Sequence, residues 1–215
     1  VGGGDYPEVK RVQSGLLGAE FRAENGLWRV SHILPGENWK ADGRSPLTEP
    51  GVNVAVGDYL LAVDGQPLTA SLDPYAPLEG RSGRTVALTF GKSPDIAKAR
   101  TVLVKPIDDE MPLRYQEWVE RNRQRVDSLS GGRLGYVHIP NMGFDGLSEF
   151  VKRYYAQIGK EGLVIDVRYN GGGFVSQMII ERLRRVLGGM DAPRNAAPET
   201  YPKAVFTGSL VCLIN

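Results

Sequence analysis

The sequence predicts two domains of different class, a small barrel-like α+β domain followed by an α/β layer. Two observations divide them. Up to about Pro106 the apolar residues fall in short runs punctuated by turn dipeptides. Beyond it, short apolar runs alternate with stretches at helical spacing, in the order strand, helix, strand, helix, strand, which points to parallel strands. The boundaries read from this are 1–12 for a linker from a preceding domain, 13–106 for the first domain and 107–215 for the second.

The first element is a hairpin. Asn25-Gly26 is a strong two-residue turn signal between strands at 19–24 and 28–34. Pro35-Gly36 and Pro50-Gly51 bound a polar loop. Residues 59–63 read as a strand that ends at Asp64-Gly65. A short helix is expected over 72–79, stopped by Gly80 and Gly83. Strands at 85–90 and 101–105 close the domain. The second domain opens with a helix over 112–128, with Pro112 in its first turn and Gly131-Gly132 after its end. A strand at 134–139 stops at Pro140. Phe144, Leu147, Phe150, Val151, Tyr154, Tyr155 and Ile158 mark one face of the next helix. Then come a buried strand at 163–167, a glycine loop, a helix over 175–187, a surface loop over 191–203, and apolar strands at 204–206 and 210–214.

Composition narrows the function classes. The chain has 215 residues, 41% hydrophobic and 24% charged, enough to bury an ordinary core. A net charge of +1 gives no support to nucleic acid or an anionic membrane surface as a partner. No apolar run approaches the roughly 20 residues needed to span a bilayer. The opening Val1-Gly2-Gly3-Gly4-Asp5-Tyr6 has neither an initiator Met nor the apolar centre of a signal peptide, and the sequence stops inside an apolar run. A fragment of a longer chain is the expectation. Cys212, the one cysteine, is expected to be a buried thiol, so disulfides play no part and a reducing, cytoplasmic compartment fits.

The chemistry concentrates at Gly171-Gly172-Gly173, between the buried strand and a helix. Such a loop aims backbone N–H groups at the positive end of a helix, a place for a bound anion or for negative charge developing in a reaction. Three adjacent glycines cost backbone entropy, so the backbone is needed close to something. The loop lacks the Gly-Lys-Ser/Thr ending of a phosphate-binding loop. Gly171-x-Gly173-x-x-Ser176 is a degraded dinucleotide fingerprint, and Asp191 does not end a second buried strand as a ribose-binding acid should. Ser31 and His32 are adjacent on a strand and face opposite ways, which argues against a nucleophile and its base. His138 reads as a core or sheet-edge residue. Two scattered histidines and one cysteine give no metal site of usual spacing, and no cofactor is expected. Asp108, Asp109 and Glu110 precede a helix and are expected to serve its N-terminus. Leu17-Gly18-Ala19, entering a strand, has the apolar-Gly-apolar form that exposes backbone N–H groups to a peptide's terminal carboxylate.

That loop, with the later segment Gly57-Asp58-Tyr59-Leu60-Leu61-Ala62-Val63-Asp64-Gly65, resembles a PDZ domain of the bacterial protease type. The second domain resembles the tail-specific serine peptidases and, more closely, tricorn protease and its bacterial homologues. The motifs are Gly135-Tyr136-Val137-His138-Ile139-Pro140-Asn141-Met142-Gly143 and the run from Leu163 through Asp166, Arg168, Asn170 and Gly171-Gly172-Gly173 to Gln177. Arg114-Tyr115-x-x-Trp118-Val119-Glu120 also fits. The resemblance implies a PDZ-like β-barrel followed by part of a crotonase/ClpP-like α/β serine peptidase domain. It implies that Gly173, with Gly172 next, supplies oxyanion-hole N–H groups, and that Asp191 lines the pocket for a basic P1 side chain. By the same resemblance the catalytic histidine precedes Val1, and the nucleophilic serine and the orienting glutamate follow Asn215. The fragment alone is then inactive, while its parent is a homohexameric peptidase of oligopeptides acting downstream of larger proteases. Two other readings stay open: a binding module for peptide C-termini on a non-catalytic scaffold, and a nucleotide-binding protein built on the glycine loop.

Overall fold

The computed structural model describes residues 13–40 and 43–215, so the linker assigned to 1–12 lies outside the described residues. The chain divides into two compact units, 1–117 and 118–215.

The first unit is built on a six-stranded antiparallel sheet. Strands β1 (Ala19–Glu24) and β2 (Leu27–Ile33) form the expected hairpin. Asn25 and Gly26 both take positive φ, 53° and 76°, the turn whose twist matches paired strands. Strand β3 (Tyr59–Val63) lies between β2 and β5 (Val86–Gly91), and all five of its residues are buried. Asp64-Gly65 turns it into the short β4 (Gln66–Pro67). In β5 the side chains of Val86, Leu88 and Phe90 enter the core, while β6 (Arg100–Val104) forms the far edge. Strands β1 and β6 do not pair with each other; a lone antiparallel bridge, Leu16–Ile107, joins the chain just before β1 to the chain just after β6. The helix expected at 72–79 is only a 3₁₀ turn, Ala76–Leu78. Pro77 explains much of the difference, since it lacks one of the few N–H groups such a helix would bond and its ring clashes with the carbonyl four residues back, while Pro74 disfavours helical backbone at Asp73.

Helix α1 (Met111–Ser130) follows, with Pro112 in its first turn and Gly131 and Gly132 at positive φ beyond its end. The second unit has a three-stranded parallel sheet in the order β11-β8-β7, made of β7 (Leu134–His138), β8 (Gly162–Asp166) and β11 (Ser209–Leu213). Helix α2 (Phe144–Tyr155) connects β7 to β8 and buries Phe150 and Tyr154 against Val137, Leu163 and Ile165. Helix α3 (Ser176–Leu183) ends four residues earlier than expected.

Three expectations change in the last quarter of the chain. Residues 191–203 are not a plain loop, because β9 (Gly189–Asp191) and β10 (Glu199–Tyr201) pair antiparallel. Residues 204–206 form no strand; Val205 and Phe206 are buried from irregular backbone, with Ala204 at φ 55°. Cys212 is exposed rather than buried. All but the last residue of β11 are exposed, so among the described residues no packed layer covers the apolar sequence there.

Candidate active site

The parallel register aligns His138 on β7, Asp166 on β8 and Leu213 on β11 at one end of the sheet. The two loops that leave β7 and β8 there, 139–143 and 167–175, are stitched to each other. Open parallel sheets bind ligands at these carboxyl ends.

The stitching begins at Asp166, which is fully buried. Tyr136 Oη donates to Asp166 Oδ2 at 2.6 Å. Arg168 folds back on the same carboxylate, with Nε 2.9 Å from Oδ1 and Nη2 2.6 Å from Oδ2, while its backbone N–H reaches Oδ1 at 3.0 Å. Burial alone would raise the Asp166 carboxyl; the bonds from Arg168 and Tyr136 outweigh it and hold the group below its ordinary value. The bond to Asp166 raises the Arg168 guanidinium in turn, and burial together with that carboxylate raises the Tyr136 hydroxyl. Trp118 backs the cluster: the Arg168 guanidinium lies 5.1 Å from its ring and His138 meets it edge-on at 5.3 Å. His138 is buried and its proton affinity is lowered, first by desolvation, so it is a neutral core imidazole at pH 7.

From this anchor the chain turns at Tyr169, φ 59°, into the glycine loop. Asn170 holds the turn from both sides: its Nδ2 donates to the Ile139 carbonyl at 2.8 Å, and its Oδ1 accepts the Gly172 N–H at 2.7 Å. The Gly171 N–H reaches the Pro140 carbonyl at 3.2 Å. Met142 then bridges to Gly173: its N–H donates to the Gly172 carbonyl at 2.7 Å, and its carbonyl accepts from Phe174 at 2.7 Å and Val175 at 2.9 Å. Asn141 braces the opposite side, where Oδ1 accepts the N–H groups of Gly143 and Gly146 at 2.9 and 3.1 Å.

One donor is left over. Among the described residues no acceptor meets the Gly173 N–H, and Gly173 is exposed. Nothing but glycine fits there. A Cβ would collide with the Met142 carbonyl, and φ is +141°, a region that side chains rarely adopt. The loop thus presents a single fixed, unspent amide just before helix α3. That suits one oxygen carrying developing negative charge. It does not suit a phosphate cradle, which needs a row of free amides, because Gly171 and Gly172 have already spent theirs.

The other expected residues lie elsewhere. Asp191 is exposed on β9, directly opposite Glu199 on β10. Lys203 Nζ lies 2.7 Å from Glu199. Leu17, Gly18 and Ala19 belong to the first unit, where the Leu17 and Ala19 side chains are buried and Gly18 sits at φ 69°. His32 Nε2 lies 2.6 Å from Glu117 Oε1, a half-exposed pair with no nucleophile in it. Asp109 Oδ1 accepts the Met111 N–H at 2.8 Å, as expected of an acid before a helix, whereas Glu110 accepts the N–H of Gly18. Among the described residues no three His, Cys, Asp or Glu are placed to share a metal ion, and no helix is long and apolar enough to cross a membrane. The residues that sequence reasoning left without a role are Asp166, Tyr136, Asn141 and Asn170. Their available signal was position: an acid closing a buried strand two places before an arginine, and an asparagine directly before three glycines.

Comparison with known proteins bears on both units. Residues 15–109 match the family model described as tricorn protease PDZ domain, and residues 133–215 match peptidase family S41. Tricorn protease homolog 1 of Streptomyces coelicolor is 42% identical over 205 residues, covering 95% of this chain and 19% of that protein. Tricorn protease of Thermoplasma volcanium is 34% identical over 213 residues, covering 99% of this chain and 20% of its own length. A crystal structure of the tricorn protease superposes with a TM-score of 0.82 at 33% identity, over 94% of this chain and 20% of that one. The chain therefore spans about a fifth of the length of these relatives.

Proposed function

The chain belongs to the tricorn proteases, with a tricorn PDZ domain followed by family S41 peptidase sequence, and from that premise we propose that it is the part of a serine peptidase that supplies an oxyanion donor. The observation that carries this reading is the Gly173 N–H, the loop amide that its own fold leaves unspent.

A serine hydroxyl attacks the peptide carbonyl while a histidine takes its proton, and the carbonyl oxygen becomes an oxyanion. The Gly173 amide, locked by the Met142 bridge, donates to that oxygen without having to reorganise. The Gly172 amide, bonded to Asn170, contributes only if that bond is released, so the proposal rests on Gly173. The serine, the histidine and the glutamate that orients it belong to the parent protein outside these 215 residues. In that parent, a cytoplasmic homo-oligomer that trims oligopeptides, the second unit is part of a crotonase/ClpP-like domain and the first a PDZ-like barrel. Asp191 favours Arg or Lys at P1 through its carboxylate.

The test is Gly173→Ala in the full-length parent with fluorogenic tripeptides. The expected result is a loss of kcat of about 10²–10³-fold with KM nearly unchanged. The 215-residue chain alone should show no turnover above buffer. A variant whose kcat stays within about tenfold of the parent's refutes the oxyanion role, since one lost donor costs more than that.

A further inference from the structure

The loop before β1 is where a PDZ-type domain turns backbone amides toward a peptide's terminal carboxylate, and in this chain a carboxylate is already there. Gly18, at φ 69°, donates its N–H to Glu110 Oε1 at 2.9 Å. Glu110 stands 92 positions later in the chain and is only 7% exposed. Its other oxygen accepts Arg114 Nη2 at 3.2 Å, and Arg114 Nη1 reaches Glu20 on β1 at 2.7 Å. A loop amide and a guanidinium on one buried carboxylate are the donors by which a chain terminus is captured. Gly18 is confined to this role, because a Cβ would lie 2.6 Å from Ser45 Oγ.

The neighbouring strand edge is occupied as well. The Gly18 carbonyl accepts the Leu34 N–H and so faces β2. Successive carbonyls along a strand alternate in direction, so the Ala19 carbonyl faces the open side of β1, where an added peptide strand would lie. Tyr75 Oη donates to that carbonyl at 2.5 Å, and the Tyr75 ring meets Phe21 edge-on at 5.9 Å. Burial raises the Tyr75 hydroxyl, and the nearby Glu110 charge raises it further, so it remains a donor.

We propose that the resident ligand of the carboxylate loop is Glu110 of the same chain, and that the loop fastens the first turn of α1 to the sheet instead of recruiting free peptide C-termini. This goes beyond the peptidase reading and does not depend on it. Glu110 is tethered and pre-placed, so it acts at an effective concentration in the millimolar range or above. A free peptide that binds more weakly than that cannot displace it.

The experiment follows the Gly18 amide resonance of the 215-residue chain by NMR. The probes are acetate, an acetylated tetrapeptide with a free apolar C-terminal residue, the same peptide amidated, and chloride. In the wild type none of the four should move the resonance. Glu110→Ala should lower the Tm by at least about 2–4 °C. In that variant acetate and the free-carboxylate peptide should shift Gly18 and restore part of the lost Tm, whereas the amidated peptide and chloride should do neither. If Glu110→Ala does not fold, Glu110→Gln takes its place. It keeps an oxygen for Gly18 but loses the charge, and acetate should move its Gly18 resonance. A wild type that responds to the free-carboxylate peptide as readily as the variant overturns the proposal. So does a Gly18 that ignores carboxylates once the Glu110 charge is gone.

Discussion

Arg168→Ala is expected to reverse the way the second unit's stability depends on pH. In the native protein the Asp166 carboxyl is fully buried and yet held below its ordinary value. A depressed carboxyl contributes stability that is present above its unfolded value, near pH 4, and is lost as pH falls through the folded value. Removing Arg168 deletes the bidentate side-chain bonds and leaves burial as the dominant influence, with the Tyr136 hydroxyl as the remaining side-chain donor. The carboxyl then moves above its unfolded value, and the variant is destabilised at every pH where Asp166 stays ionised. Breaking a buried pair by removing one partner costs about 3–5 kcal/mol. The Arg168 side chain is 32% exposed, so water replaces part of what it gave, which places the loss at pH 7 near the lower end, about 3 kcal/mol. The gap should narrow as pH drops from 7 toward 4.5, because protonation rescues the variant before it affects the wild type. Hydrogen exchange at the β8 amides, read in both proteins at several pH values, measures that gap locally. A gap that stays constant, or widens toward acid, refutes the assignment of Arg168 as the group that keeps Asp166 charged.

Other outcomes follow from the same geometry. Asn170→Ala removes the side chain that bonds both the Ile139 carbonyl and the Gly172 N–H, so it should cost about 1–2 kcal/mol and speed exchange at Gly172. Unchanged exchange there would show that the turn holds without it. Asp191→Ala in the full-length parent should reduce the preference for Arg or Lys over an apolar P1 residue about tenfold or more, in competition assays on paired fluorogenic peptides. An unaltered ratio removes Asp191 from the pocket.

Much of the fold was legible because its signals are local. Asn25-Gly26 states its own turn through positive φ, and the runs at 59–63 and 163–167 are apolar because both are central strands. The readings that failed depended on neighbours. Cys212 sits in an apolar run, but exposure is decided by what covers a strand, and among the described residues nothing packs over β11 at that point. Residues 204–206 look like a strand in sequence, yet Val205 and Phe206 are buried without partners for a ladder. At 72–79 the local signal was available, since two prolines forbid the helix that the apolar spacing invites.

The sequence by itself determined that a strand, three glycines and a helix meet, and that the backbone there is meant to come close to something. It also carried the motifs that place the chain among the tricorn proteases. Only the tertiary structure decided which amide is unspent. Pro140, Met142 and Asn170 take up the polar groups around Gly173, and the first two come from the loop after another strand. Likewise, the partnership of Gly18 with Glu110 joins residues 92 positions apart. Hydrogen bonding saturates by geometry in three dimensions, so a linear pattern marks where donors gather but not which of them remains free.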